Sequence, residues 1–206
     1  MTVLETMSSD RVVAVIRAPR IADPRSVAET LAAAGIRCIE FTFTTDGVLE
    51  AIEKAAPAGA VIGAGTVTTA AQARDAIAAG ARFVVSPALV PEIAPPCREA
   101  GVPFFLAALT PTEVVGAIRA GTEAVKLFPA GLGGPRYLRD LLGPLPATRF
   151  IPSGGIDETN ARAWLDAGAV AVFVGSKLAP ANLVASGEHG EIGRRAEALV
   201  RALGER

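Results

Sequence analysis

Residues 28–45 read AETLAAAGIRCIEFTFTT, and this stretch decides the fold. Its first half is an Ala-rich helical run that stops at Gly35, where glycine supplies the left-handed residue that ends a helix. Its second half is a short β-branched and aromatic run, the signature of a buried strand. The same helix, glycine, strand order returns at AQARDAIAAG (71–80), CREAG (97–101), VVGAIRAG (114–121) and ARAWLDAG (161–168). Strand-like runs lie at 11–17, 38–43, 61–66, 83–87, 103–109, 124–128, 149–153 and 170–175. Eight such units, short and without insertions, predict a single-domain α/β (β/α)₈ barrel over residues 1–206, in preference to an open doubly wound sheet.

Composition narrows the function. Half of the 206 residues are hydrophobic and the formal net charge is −1, so no basic field draws nucleic acid or an anionic membrane. The opening residues MTVLETMSSDR lack a basic start followed by an apolar run, and no stretch approaches a membrane span, which predicts a cytoplasmic protein. The single histidine, His189, sits in ASGEHGE, which reads as a surface loop. It leaves no His-built metal centre and no Ser-His-Asp or Cys-His set. No metal and no cofactor are expected. Cys38 and Cys97 have no close partner in sequence and read as packed, reduced thiols.

In a (β/α)₈ barrel the reactive groups stand where strands end and the following loops begin. The strand ends here supply Arg17, Glu40 with Thr42 and Thr44, Thr66, Ser86, Thr110 with Thr112, Lys126, Ser153 with Gly154 and Gly155, and Gly175 with Ser176. Glu40 and Lys126 interrupt apolar strands, CIEFTF and AVKLF, where an unpaired charge costs several kcal/mol. They are therefore expected to neighbour each other across the barrel interior or to share a water.

Of the three lysines, Lys54 lies on the polar face of a helix, and Lys177 either adds charge to a binding loop or faces solvent. Lys126 alone lies within a strand. Burial disfavours its ammonium form and leaves an amine able to attack a carbonyl as a Schiff-base nucleophile, with a carboxylate nearby to move protons. That combination points to aldol chemistry.

Glycine-rich loops after strands seven and eight, Gly154-Gly155 and Gly175-Ser176, form the usual phosphate cradle of such barrels. GAGTVT (63–68) lacks the third glycine of a dinucleotide fingerprint. Thr66 instead suits a hydroxyl donor to a small carboxylate.

The segments VIRA (15–18), GIRCIEFTFTT (35–45), IGAGTVT (62–68), FVVSP (83–87), LTPTE (109–113), VKLFPA (125–130), FIPSGGI (150–156) and VGSKL (174–178) resemble, in order and spacing, the 2-keto-3-deoxy-6-phosphogluconate (KDPG) and 4-hydroxy-2-oxoglutarate aldolases. The resemblance implies a class I aldolase, a homotrimer, that cleaves a phosphorylated keto acid to pyruvate and glyceraldehyde 3-phosphate in the Entner-Doudoroff route. It implies Lys126 as the Schiff-base lysine and Glu40 as the general acid/base. Arg17 and Thr66 would lie around the pyruvyl end, Thr44 would hold the substrate, and Gly154, Gly155, Gly175 and Ser176 would bind the phosphate.

Three positions depart from the family pattern. Thr44 stands where many members carry a substrate-holding arginine, Leu106-Ala107 replaces a Pro-Gly, and Ser153 gives PSGG for PTGG. Leu106-Ala107 is expected to put side chains into the site. The alternatives are an aldolase for another 2-oxo acid, such as 4-hydroxy-2-oxoglutarate or the galactonate epimer, and a phosphate-binding isomerase or epimerase that uses Glu40 without a covalent step. A barrel that only binds a metabolite gives no reason for Lys126 beside Glu40.

Overall fold

A computed structural model describes residues 1–204; Glu205 and Arg206, and with them the expected domain limit at 206, lie outside the described residues. Eight parallel strands run in the order β7-β6-β5-β4-β3-β2-β1-β8. They are β1 (Val12–Ile16), β2 (Cys38–Thr42), β3 (Val61–Gly65), β4 (Val84–Val85), β5 (Phe104–Ala108), β6 (Val125–Leu127), β7 (Phe150–Pro152) and β8 (Val172–Val174). The open edge closes between β7 and β8, where Val170 N donates to Phe150 O at 3.0 Å and Ser153 bridges Phe173. The fold is the expected (β/α)₈ barrel, with several strands shorter than their apolar runs.

Helices α2 (Pro24–Ala33), α3 (Val48–Ala55), α4 (Ala70–Ala78), α5 (Ala94–Glu99), α6 (Pro111–Arg119), α7 (Gly134–Leu142), α8 (Ala161–Asp166), α9 (Ala181–Ser186) and α10 (His189–Leu203) alternate with the strands or follow the last one. The glycines read as helix stops hold positive φ, from 66° at Gly101 to 107° at Gly168, a region that Cβ-bearing residues avoid. His189 is not in a loop as its glycine neighbours suggested. It opens α10 and is half-buried.

Strand alternation sorts the core into two layers. Outward residues such as Ile39, Phe41, Leu106 and Leu127 pack under the helices. Inward residues, among them Val13, Val15, Cys38, Phe83, Phe105, Ile151 and Phe173, fill the barrel, with the Phe83 and Phe105 rings edge to face at 6.1 Å. Leu4 and Met7 belong to this inner cluster too. They come from α1 (Val3–Asp10), an N-terminal helix with a Thr2/Glu5 capping box that stoppers the end of the barrel where the strands begin.

Each of these side chains gains on the order of 1.5–3 kcal/mol by leaving water, which favours docking of α1 over fraying. Asp10 at the end of α1 fastens the stopper. Its carboxylate accepts from Arg37 N at 2.9 Å and Nε at 3.0 Å, just before β2. Cys38 and Cys97 are buried free thiols, pushed up to about 12 and about 11 by burial, so both are inert at neutral pH.

Candidate active site

Glu40 and Lys126 come from β2 and β6, four strands apart in a ring of eight and therefore facing each other across the barrel axis. Glu40 Oε2 lies 3.6 Å from Lys126 Nζ, with the carboxylate fully buried and the amine 6 % exposed. The sequence-predicted neighbours do meet. Neither carboxylate oxygen has a hydrogen-bond partner among the described residues, so Glu40 is held by packing and by charge alone.

Burial pushes the Glu40 carboxyl up, against the pull of Lys126 and Arg17. Burial pushes the Lys126 amine down, with Arg17 adding to that effect and Glu40 opposing it. Both shifts favour the neutral pair, an unprotonated amine beside a protonated acid, which is the state a nucleophilic lysine needs. The ring of Phe173 adds a third neighbour, its centroid 4.5 Å from Nζ, and Phe128 a more distant one at 5.9 Å.

The glycines of GAGTVT have their explanation here. Gly63 and Gly65 are two apart on β3 and share its inward face, beside Glu40 in register with Gly63. A Cβ at Gly63 would sit 2.4 Å from the Phe83 ring, and one at Gly65 would sit 1.8 Å from Glu40 Oε1. Side-chain-free backbone at β3 makes the space that the Glu40 carboxylate occupies. This role escaped the sequence reading, although two glycines at i and i+2 in one strand carry the signal: they strip one face of it.

Arg17, Thr44 and Thr66 come together at the mouth above this pair. Arg17 Nη1 donates to Thr44 Oγ1 and Nη2 to Thr66 Oγ1, each at 2.9 Å. Thr42 Oγ1 donates to Ile16 O at 3.3 Å and lies 2.9 Å from Thr44 Oγ1. With its one proton spent on the Ile16 carbonyl, Thr42 accepts from Thr44, which leaves Thr44 no proton for a ligand. Thr66 has no acceptor among the described residues, so its hydroxyl proton points to no protein group. Thr66 also holds φ 58°, a left-handed conformation that strains a β-branched residue by roughly 1–3 kcal/mol. Such strain marks a residue whose orientation matters.

Gly154 and Gly155 follow β7 at φ 100° and 74°, and Gly175 and Ser176 follow β8. Among the described residues no acceptor faces the backbone N–H groups of Gly154, Gly155 or Ser176. Lys177 is exposed; the nearby Asp157 carboxyl is held below its usual range chiefly by the Thr159 hydroxyl, with Lys177 a smaller influence; Lys54 pairs with Glu50 on the surface.

Other strand-end residues turn out to serve the backbone. Thr110 caps α6 in a box with Glu113, and Ser86 Oγ accepts from Ala88 N at 3.3 Å. Of Leu106-Ala107, only Ala107 faces the interior, in register with Lys126, while Leu106 packs outward under the helices. The expectation of two intruding side chains is corrected to one methyl group. A cavity of about 1230 Å³ opens at the other end of the barrel, around α1, and includes neither Glu40 nor Lys126.

The chain that carries this geometry matches a known group of proteins. The family model described as KDPG and KHG aldolase matches residues 3–195. The chain belongs to the KDPG and KHG aldolase family. As an aldolase it is a carbon–carbon lyase.

It is 37 % identical over 195 residues to the 2-dehydro-3-deoxy-phosphogluconate aldolase of Treponema pallidum (strain Nichols), covering 93 % of each chain. Its fold matches a crystallised 4-hydroxy-2-oxoglutarate/2-dehydro-3-deoxyphosphogluconate aldolase from TTHB1 with a TM-score of 0.87 at 32 % identity, over 99 % of this chain and 100 % of that one. A KDPG aldolase of Legionella pneumophila, with pyruvate captured as a covalent carbinolamine, matches with a TM-score of 0.86 at 28 % identity, over 95 % of this chain and 97 % of that one. No helix among the described residues is long and apolar enough to cross a membrane.

Proposed function

We propose that this aldolase cleaves 2-keto-3-deoxy-6-phosphogluconate to pyruvate and glyceraldehyde 3-phosphate through a Schiff base on Lys126. The observation that carries the reading is the buried Glu40–Lys126 contact at 3.6 Å, with burial pushing both groups toward neutrality.

The neutral amine of Lys126 attacks the C2 ketone to give a carbinolamine. Glu40 gives its proton to the departing hydroxyl, which leaves as water, and the nitrogen becomes a protonated imine beside a carboxylate. That carboxylate takes the C4 hydroxyl proton, the C3–C4 bond breaks, and its electron pair moves into the imine to form an enamine as the aldehyde departs. Glu40 returns the proton to C3, and water releases pyruvate.

Arg17 and the free hydroxyl of Thr66 hold the substrate carboxylate, while Thr44 orients Arg17. The amides of Gly154, Gly155, Gly175 and Ser176 cradle the phosphate. The relatives' names include 4-hydroxy-2-oxoglutarate aldolase, and that smaller keto acid uses the same pyruvyl site without the cradle. A homotrimer fits the exposed apolar side chains Ile118 and Leu132, which a partner copy would cover. A cytoplasmic location fits the reduced thiols.

Two measurements test the reading. Pyruvate with borohydride should add one reduced pyruvyl group to the peptide containing Lys126, and labelling at Lys54 or Lys177, or none, overturns the covalent mechanism. A coupled assay of pyruvate release from phosphorylated and unphosphorylated keto-deoxy acids ranks the substrates; a preference for unphosphorylated ones refutes the phosphate cradle.

A further inference from the structure

The structure assigns Phe173 a part in the chemistry: we infer that its ring face stabilises the positive charge on the Lys126 nitrogen when the amine becomes a protonated imine. This rests on Lys126 being the imine lysine. Phe173 is 1 % exposed and sits on β8, in register with Val13 on β1 and bridged to Ser153 after β7. Pinned on both sides, its ring stands over Nζ at 4.5 Å. A π face attracts a cation through the ring quadrupole, and the attraction strengthens when water is excluded.

The charged groups that face the Lys126 nitrogen are Glu40 from β2 and Arg17 from the end of β1. Arg17 opposes a positive charge there. Glu40 favours one only while it is a carboxylate, and it gains and loses a proton in the course of each turnover. The ring does not titrate. It supports a positive charge on that nitrogen, as ammonium or as iminium, at a constant level throughout the proton shuttle. Phe173 is thus a positioning and charge-stabilising residue on the strand next to the phosphate loop, and no catalytic motif contains it.

The test replaces Phe173 by 3,4,5-trifluorophenylalanine, which keeps the shape of the ring and weakens its negative face, and separately makes Phe173→Leu. Borohydride trapping at sub-saturating pyruvate is followed against pH, with the labelled peptide identified in each protein. On the alkaline plateau of the profile, where the amine is neutral in both proteins, the fluorinated protein should trap more slowly than wild type, the loss lying between about two- and thirty-fold, and the midpoint of its pH profile should move down, because the ammonium loses the same support.

Phe173→Leu should shift both quantities further in the same direction. Should that variant fail to fold, the fluorinated ring still decides the question. Unchanged trapping and an unchanged midpoint in the fluorinated protein overturn the inference and leave the ring a wall. Wild-type labelling anywhere but Lys126 overturns the proposed mechanism itself, and the role of Phe173 with it.

Discussion

Glu40 lies against the bare α-carbon of Gly65: a methyl group there would come within 1.8 Å of Oε1 and 2.1 Å of the carboxyl carbon. The buried acid and the glycine are parts of one arrangement on adjacent strands β2 and β3, in which absence of a side chain on one creates room for the side chain of the other.

Gly65→Ala should therefore act on catalysis through Glu40. The added methyl forces the carboxyl group away from Lys126, and kcat should fall by about 10²-fold or more, in line with loss of a general acid/base. In a double-mutant cycle the loss should be far from additive with Glu40→Gln, because both remove the same function. Additive losses would mean that Gly65 matters for some other reason.

Glu40→Gln keeps volume and should leave the fold nearly intact. It removes the carboxylate that helps keep a proton on Lys126, so the amine becomes easier to deprotonate and still attacks. The variant should trap pyruvate slowly while its exchange of pyruvate methyl protons with solvent falls by roughly 10²–10⁴-fold. Exchange at the wild-type rate, read by NMR in deuterium oxide, would assign the shuttle to another group.

Arg17 and Thr66 should show as binding residues. Thr66→Val keeps the branch and removes the hydroxyl, and Arg17→Lys keeps the charge and loses the fork that spans Thr44 and Thr66. Hydrogen bonds to a charged group are worth about 1.5–3 kcal/mol, so each change should raise the apparent Kd for pyruvate by roughly ten- to hundred-fold. Full binding in Arg17→Lys would show that a point charge suffices. Thr66→Gly should lose affinity as well, yet keep its Tm, since glycine relieves the strain at φ 58°.

Lys126→Met isolates the titration of Glu40. With its counter-charge gone, the buried carboxyl moves further up from its already raised position. Between the unfolded value and the raised one the native state holds a proton that the unfolded chain has lost, so stability is full below the unfolded pKa and is lost as pH rises through the folded one. Urea midpoints should fall from pH 5 to pH 8 in Lys126→Met by more than in wild type. A flat profile would place the carboxyl in contact with water.

Much of this was legible in the sequence because the signals were local. Helix-stopping glycines and short apolar runs gave the eight units, and charges inside apolar strands gave Glu40 and Lys126, since burial makes such residues costly unless they have work to do. Arg17, Thr44 and Thr66 were found as strand ends, but their hydrogen-bonded order depends on which way each hydroxyl turns, and spacing carries no such information. Phe173 and Gly65 were passed over because each resembles ordinary core or turn chemistry until its neighbour on another strand is known. Helix α1 was missed for a related reason: eight residues with two buried apolar side chains barely register as periodic, and the Thr2/Glu5 capping box is their one local signal.

That docking has a consequence for traffic. With Leu4 and Met7 closing one end and the inner cluster packed above them, a ligand reaches Glu40 and Lys126 from the strand-end side, and whatever goes deepest must enter first and leave last. In the proposed binding mode the keto end of the substrate goes down to Lys126 while the phosphate stays at the rim, so the aldehyde fragment clears the mouth before the pyruvyl fragment can. Product inhibition should record this order: pyruvate competitive with the substrate, and glyceraldehyde 3-phosphate noncompetitive.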